Sequence, residues 1–545
     1  MPANSTVTTD LNMAALIAES IRRTPDQVAL GVADGSMRLT YRQLAELASS
    51  LAGHLREAGI TSADTVALFC DNRPEFVIGL LAAWQAGAAV APIDPLLTPG
   101  EVGARQAAAG ASAVLLPRPL RPAYPAGDLP AWAVEVDAYA CELTFTAVHP
   151  GSGPDAAKVP AQRAQTAQRA QTAGRSQAAE RHRRGAGRSS VALLLATTGS
   201  TGKPKIVPLT HANLAASVAG ICSGYHLGPG DATLIVMPLF HGHGLVGGLL
   251  ATLASSGAAY LPAAGRFSAH LFWEEIARAN ATWYTAVPTV HQILLARAAT
   301  DYPAGYRPAL RFIRSCSAPL AQAVLHKTEE YFGAPMIVAY GMTETAHQAA
   351  TNPLPGDGPR RKGSVGLPTG LRVRIDKADG TPAGTGEIGE VRVHGPALTA
   401  GYLNDPKATA AAFADGWFRT GDLGHLDSDG YLFLNGRIKE IINRGGEKIA
   451  PQTVEEVLLA NPAVEEAVAF AVPDPEYGED VNAAVVLQPD SEATEDDLKE
   501  YCQARLAAFE IPARIYLLDG FPRTSKGDAD RRALAAAFTR PKPAS

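Results

Sequence analysis

Residues 41–93 switch back and forth between two hydrophobic periods, and this alternation constrains the fold more than any other feature of the chain. Residues 41–58 carry apolar side chains at helical spacing, 65–70 are β-like, 75–86 are helical again, and 88–93 return to a β-like run. Such alternation reads as an α/β protein with largely parallel sheets. Ile206-Val207, 234–237 and 336–339 read as further strands. In open α/β sheets, ligands sit beyond the carboxyl ends of strands. The apolar stretch 76–93 has borderline membrane-spanning length, but Gly79, Gln85, Gly87 and Pro92 interrupt it. A buried helix running into a strand accounts for it better.

One strand-to-loop junction is rich in hydrogen-bond donors. The apolar run Val191-Ala-Leu-Leu-Leu-Ala196 empties into Thr197-Thr198-Gly199-Ser200-Thr201-Gly202-Lys203-Pro204-Lys205. Glycine lets backbone approach a ligand closely, and successive N–H groups, hydroxyls and lysines can wrap phosphate oxygens. The segment therefore reads as a phosphate-binding loop rather than a polar turn. It is not a Walker loop: Thr197 stands where the first glycine belongs, and Pro204 follows Lys203 where Ser or Thr belongs.

The chain of 545 residues is long enough for more than one domain. Its net charge of −6 gives no general electrostatic case for nucleic acid. Cys70, Cys141, Cys222, Cys316 and Cys502 show no metal or redox spacing, which suits a reducing, cytoplasmic setting. The first residues lack a basic region followed by a cleavable apolar segment, so secretion is not expected. Residues 149–190 break the α/β pattern. The hexapeptide Gln-Arg-Ala-Gln-Thr-Ala occurs at 162–167 and again at 168–173. From Lys158 to Ser190, seven Arg and one Lys stand against one Glu, a local charge of 8 − 1 = +7. This composition cannot bury a core and reads as a disordered insertion, with a short helix or an anionic docking patch as the alternative. A boundary near Gly436-Arg437 divides an N-terminal domain, 1–436, from a smaller α/β unit, 437–545.

Four more motifs join the loop. Pro238-Leu-Phe-His-Gly-His-Gly244 ends a strand with two histidines, His241 and His243. Tyr340-Gly-Met-Thr-Glu344 follows another, and Thr343 beside Glu344 suits phosphate contact plus Mg²⁺ binding. Trp417-Phe-Arg-Thr-Gly-Asp422 places a carboxylate in a glycine turn, where it can hold a ribose diol. Arg437, Lys439, Arg444 and Gly445-Gly446 form a cationic, glycine-rich segment at the domain boundary. Each alone has a structural reading. Asp422 is then a turn former, Glu344 a helix cap and the histidines packed loop residues.

In this order the motifs resemble the adenylate-forming, or AMP-binding, superfamily of acyl-CoA synthetases, luciferases and peptide-synthetase adenylation domains. Within it the chain looks most like the oxalate–CoA ligases of plants and yeast. That likeness rests on Asn280-Ala-Thr-Trp-Tyr-Thr-Ala-Val-Pro-Thr-Val-His291, Leu310-Arg-Phe-Ile-Arg-Ser-Cys-Ser-Ala318, Leu261-Pro-Ala-Ala-Gly-Arg-Phe-Ser-Ala269 and Ile442-Asn-Arg-Gly-Gly-Glu-Lys-Ile449. The resemblance implies a large multi-sheet N-terminal domain and a small mobile C-terminal α/β domain. It implies ATP, Mg²⁺ and CoA, and a small carboxylic acid as substrate. Thr197, Thr198, Gly199, Ser200, Thr201, Gly202 and Lys205 would hold the β- and γ-phosphates. Thr343 would meet the α-phosphate and Glu344 the metal. Ser317, Ala318, Pro319 and Tyr340 would form the adenine site, and Asp422 and Arg437 the ribose site. Lys439 matches the hinge, and Gly445 and Gly446 line the pantetheine tunnel. His241, His243, Ser317 and His347 match positions suited to the second carboxylate of oxalate. A carrier protein is the less favoured acceptor, since no carrier domain follows Ser545 and 443–449 looks like a CoA ligase.

One departure bears on activity. The superfamily's C-terminal motif resembles Pro-x-Thr-x-Ser/Thr-Gly-Lys, but this chain reads Pro522-Arg-Thr-Ser-Lys-Gly-Asp528. Asp528 replaces the lysine that meets the α-phosphate, a contact worth about 3–4 kcal/mol by analogy with an oxyanion-hole donor. Lys526 lies two positions earlier, with its backbone at most about 7 Å away. Three readings stand: Lys526 substitutes, adenylation is crippled while thioester formation survives, or the chain is an ATP/AMP-binding pseudoenzyme. Intact Glu344, Asp422, Arg437 and the glycine-rich loop favour the first. A ligase for fatty or aromatic acids is the alternative substrate reading.

Overall fold

The computed structural model describes residues 12–125, 128–137, 140–148, 159–160, 190–197, 205–302, 305–489, 491–523 and 529–539. The helix Tyr41–Glu57 starts from a capping box, in which the Thr40 side chain and Gln43 satisfy each other's backbone N–H groups. It buries Leu44, Leu47, Leu51 and Leu55 at helical spacing. It packs on Pro74–Ala86, a helix buried almost all round that ends at Gly87 in the left-handed conformation. The apolar stretch 76–93 is thus a core helix followed by the strand Ala89–Ile93, and among the described residues no helix is long and apolar enough to cross a membrane.

Three sheets carry the described chain. In an eight-stranded sheet, Ala89–Ile93, Thr65–Phe69, Ala113–Pro117 and Ala131–Asp137 run parallel at the centre. At one edge Val191–Thr197 pairs antiparallel with Lys205–Thr210, and the junction between them is the expected phosphate loop. Of the insertion, Val159–Pro160 pairs with Glu142–Ala147; the disorder expected for the rest falls on residues outside those described.

A fourteen-stranded sheet holds parallel strands Ala232–Leu234, Trp283–Ala286, Phe312–Ser315 and Met336–Tyr340 side by side. Beyond Tyr340 it turns antiparallel, through Ala350–Thr351, Ser364–Pro368, Leu432–Arg437, Trp417–Leu426, Gly389–His394 and Arg372–Asp376. Sheets that are largely parallel therefore describe only the central portions. The strand expected at 234–237 also needs correction, because it stops at Leu234. The buried Asn72 amide takes the carbonyls of Ile235 and Met237 and accepts from the Leu239 N–H, drawing that segment out of the ladder.

A third sheet, of five strands, lies wholly in the C-terminal region: Ile442–Arg444, Glu447–Ile449, Val464–Asp474, Gly478–Leu487 and Arg514–Leu517. Helices Pro451–Leu459 and Glu495–Gln503 cover it around its own core of Ile442, Val454, Leu458, Val481, Val485 and Leu498. The chain leaves the large sheet at Arg437 and enters the small one at Ile442.

Candidate active site

Parallel strands Trp283–Ala286, Phe312–Ser315 and Met336–Tyr340 deliver their following loops to one edge, where Ser317-Ala318-Pro319, Tyr340, Thr343, Glu344 and His347 of the expected site lie. Ser317-Ala318-Pro319 follows the middle strand, with Ser317 in the left-handed region at φ +77°. After Tyr340 the chain makes a 3₁₀ turn, Thr343–Thr345, and then Ala346 and His347 take φ +49° and +93°. Non-glycine residues held this way store strain that the surroundings must impose. Gly341 makes the turn feasible: a Cβ there would stand 1.5 Å from the His347 carbonyl oxygen.

Two groups of side chains meet at this edge. In the first, Tyr340 Oη donates to Asp422 Oδ2 at 2.5 Å, and Arg437 Nε pairs with Asp422 Oδ1 at 2.9 Å. Asp422 is buried, and burial pushes its carboxyl above the usual range against the pull of Arg437. Burial and the neighbouring carboxylate push the Tyr340 phenol well up. Asp422 was expected in a glycine turn. Instead it lies inside the long strand Trp417–Leu426, opposite Arg437 in register, where Gly421 at φ +71° bends the strand without ending it. Glu344 joins this side: Tyr402 Oη donates to its Oε1 at 2.8 Å, and Lys205 Nζ lies 4.5 Å from the Tyr402 ring centroid. The stem of the expected phosphate loop is therefore linked to the Thr343–Glu344 turn. Thr197 closes that stem, with Oγ1 donating to the Lys205 carbonyl at 3.4 Å.

The second group is a buried polar cluster. His243 opens a π-helix, His243–Leu250, and its ring stacks on His347 with centroids 5.0 Å apart. Ser317 Oγ lies 3.1 Å from His243 Nδ1, and Thr285 Oγ1 lies 2.6 Å from His243 Nε2. Gly247 leaves room for this arrangement, since a Cβ there would reach His347 Nε2 at 2.4 Å. Burial depresses the imidazole pKa of both rings well below the ordinary histidine value. For His243 the neighbouring His347 and Arg314 add to the effect; for His347 Arg314 does. Both are neutral at physiological pH. His241 is half-buried, edge-on to Phe240 at 4.8 Å, and near enough for its charge to bear on His243.

Other expected residues stand apart. Lys439 is exposed between the two sheets, and Gly445-Gly446, at φ +59° and +103°, form the two-residue turn joining Ile442–Arg444 to Glu447–Ile449. Residues 198–204, and Lys526 and Asp528 with them, lie outside the described residues. The sequence reading missed Thr285, Arg314 and Tyr402. A signal for Arg314 was present: a basic residue in an otherwise apolar parallel strand.

This edge carries a carboxylate–tyrosine–arginine group suited to a ribose, a glutamate linked through Tyr402 to Lys205 at the stem of the glycine-rich segment, and a polar cluster around two buried imidazoles. Nucleotide-dependent activation of an acid is the chemistry those parts share. The chain belongs to the AMP-binding enzymes, within which it is an acyl-CoA synthetase: the model of that family matches residues 17–403, and that of the AMP-binding enzyme C-terminal domain matches 453–528. It is 43% identical to the oxalate–CoA ligase of Arabidopsis thaliana over 96% of this chain and 98% of that protein. It is 36% identical to the oxalate–CoA ligase of Saccharomyces cerevisiae, over 97% and 98% respectively. Among solved structures, O-succinylbenzoate coenzyme A synthetase from Bacillus subtilis, in complex with ATP and magnesium ion, superposes with a TM-score of 0.75 at 27% identity. That match covers 95% of this chain and 98% of the other.

Proposed function

We propose that the chain is an ATP-dependent carboxylate–CoA ligase acting on a small dicarboxylate such as oxalate. The observation that carries this reading is the polar group formed by the buried His243 and His347 with the exposed Ser317, at the edge that also bears Tyr340–Glu344. A fatty or aromatic acid needs an apolar surface there, whereas a dianion without a tail needs donors. The names of the two plant and yeast relatives support the same choice.

In this reading Asp422 and Arg437 hold the ribose, and Tyr340 with Ser317-Ala318-Pro319 frames the adenine. Residues 197–205 hold the outer phosphates, and Thr343 the α-phosphate. Glu344 fits a magnesium site of the usual kind, with one carboxylate and the remaining positions filled by phosphate and water. Among the described residues no cluster of three or more metal-ligating side chains offers a protein cage. When bound, the ion neutralises phosphate charge. The acid carboxylate attacks the α-phosphorus and pyrophosphate leaves. Fixed cations and N–H donors stabilise the charge that builds on phosphoryl oxygens. The CoA thiolate then attacks the acyl carbon of the mixed anhydride and AMP departs. Residues 437–545 form the small domain, and rotation about Lys439 brings Gly445 and Gly446 to the CoA thiol for that second step. A cytoplasmic setting accords with five free cysteines.

Pyrophosphate exchange across oxalate, malonate, benzoate and a fatty acid, followed by thioester formation with free CoA or a carrier protein, tests the reading. Oxalate-dependent exchange and an oxalyl-CoA product are expected. Exchange driven best by an aromatic or fatty acid would sink it.

A further inference from the structure

Beneath the polar cluster lies a charge the reaction scheme has not used. Arg314 is 0% exposed, in the middle of the strand Phe312–Ser315. Its guanidinium donates from Nε to Tyr225 Oη at 2.9 Å, from NH1 to Thr285 Oγ1 at 2.9 Å, and from NH2 to Gln348 Oε1 at 3.0 Å. All three acceptors are neutral, and the Cys316 side chain also faces the guanidinium. Among the ion pairs of the described residues none includes Arg314, while other strongly buried arginines such as Arg392 have carboxylates beside them. Burying a cation without a counter-ion is costly, and hydrogen bonds to neutral groups offset that cost only in part.

The hydrogen-bond chain leads outward. Arg314 can only donate, so Thr285 Oγ1 accepts from it and keeps its own hydrogen to give to His243 Nε2, 2.6 Å away. The relay then uses the His243 tautomer protonated on Nδ1, which donates to Ser317 Oγ at 3.1 Å. The Ser317 hydroxyl hydrogen is left for a ligand. Ser317 stands on an exposed loop, so the far end of the chain is accessible while its source is sealed. Every donor in the relay points from the guanidinium toward the acid pocket.

We propose that Arg314 is the specificity-determining charge of this enzyme: its unpaired guanidinium, acting through Thr285, His243 and Ser317, is balanced by the distal carboxylate of the acid substrate. The inference rests on the small-dicarboxylate reading above and adds a source for the selection. Acids with a second negative charge are favoured over equally small acids without one. Arg314 does not itself touch the acid; it positions and polarises the donors that do.

The test compares kcat/KM for oxalate with that for oxamate, in which an amide replaces one carboxylate at nearly equal size. Gln348→Glu sets a carboxylate against the guanidinium and keeps every hydrogen bond the guanidinium makes. It should cut the oxalate-to-oxamate ratio about 100-fold, the order expected when a buried charge pair loses a partner, with oxamate turnover within about threefold of wild type. Arg314→Gln should lower the ratio equally, and Arg314→Lys should keep it within about tenfold. A ratio unchanged in Gln348→Glu, or equal losses on both acids, overturns the proposal. Wild type alone also decides a part: turnover of oxalate without preference over oxamate refutes the role of Arg314 while the ligase reading stands. Wild type that activates no dicarboxylate brings both down.

Discussion

Asp422→Asn separates binding from folding at the proposed ribose site. Asp422 Oδ2 accepts from Tyr340 and Oδ1 from Arg437, and an ionised carboxylate offers about four acceptor directions, so two remain for a ribose diol. Asparagine keeps one oxygen and loses the charge. One charge-assisted hydrogen bond is then forfeited, about 1.5–3 kcal/mol, or a roughly ten- to 150-fold rise in KM for ATP. Stability should move the other way. Burial raises the Asp422 pKa, so the folded state holds that proton more tightly than the unfolded chain does. The stability linked to it is present at low pH and lost as pH rises through the folded value; at neutral pH the ionised group is a net cost. Arg437, left without its partner, is exposed and easily hydrated. The variant should therefore melt at the wild-type temperature or above. Pyrophosphate exchange at saturating acid gives the ATP constant, and scanning calorimetry gives the melting temperature. A KM for ATP within twofold of wild type would refute the ribose assignment, and a large fall in melting temperature would refute the electrostatic account of Asp422.

Further substitutions test other parts of the site. Gly341→Ala forces a Cβ onto the His347 carbonyl, and should cost about 3 kcal/mol or more in urea unfolding and abolish exchange. Tyr402→Phe removes the hydrogen bond to Glu344; the Mg²⁺ concentration for half-maximal exchange should rise about tenfold, with little change in melting temperature. Lys526→Ala should eliminate oxalate-dependent exchange, while Asp528→Lys retains or raises it. A harmless Lys526→Ala would show that this lysine does not stand in for the missing one.

The elements of the parallel cores were legible because period and burial agree in them. Residues 41–58, 65–70 and 75–86 each fall within a residue or so of the helix or strand formed. The strand ending was misread at 235–237, where a side chain 163 residues away in sequence takes over backbone hydrogen bonding. No local pattern encodes that. The site divides the same way. Thr343, Glu344, Asp422 and Arg437 could be singled out because their motifs are contiguous, and the structure brings Asp422 and Arg437 together at Tyr340. Thr285 and Arg314 matter through contacts across adjacent strands, and Tyr402 through a contact with a residue 58 positions earlier. Asp422 was placed in a turn because a glycine precedes it, although the strand continues through the bend.

The space above Gly247 has an evolutionary consequence. His347 holds its place there only because residue 247 has no side chain, and a single methyl would push the imidazole away. The obstructing atom would meet the far end of a side chain, so the displaced group could swing aside without backbone rearrangement. Gly341, by contrast, abuts backbone and tolerates nothing. On the roles proposed above, position 247 is open to change because a methyl there meets only the end of a side chain, while position 341 is closed because it meets backbone. A lineage built this way can wander among carboxylic acids while the turn after Tyr340 stays fixed; the proteins it resembles include both an oxalate–CoA ligase and an O-succinylbenzoate coenzyme A synthetase.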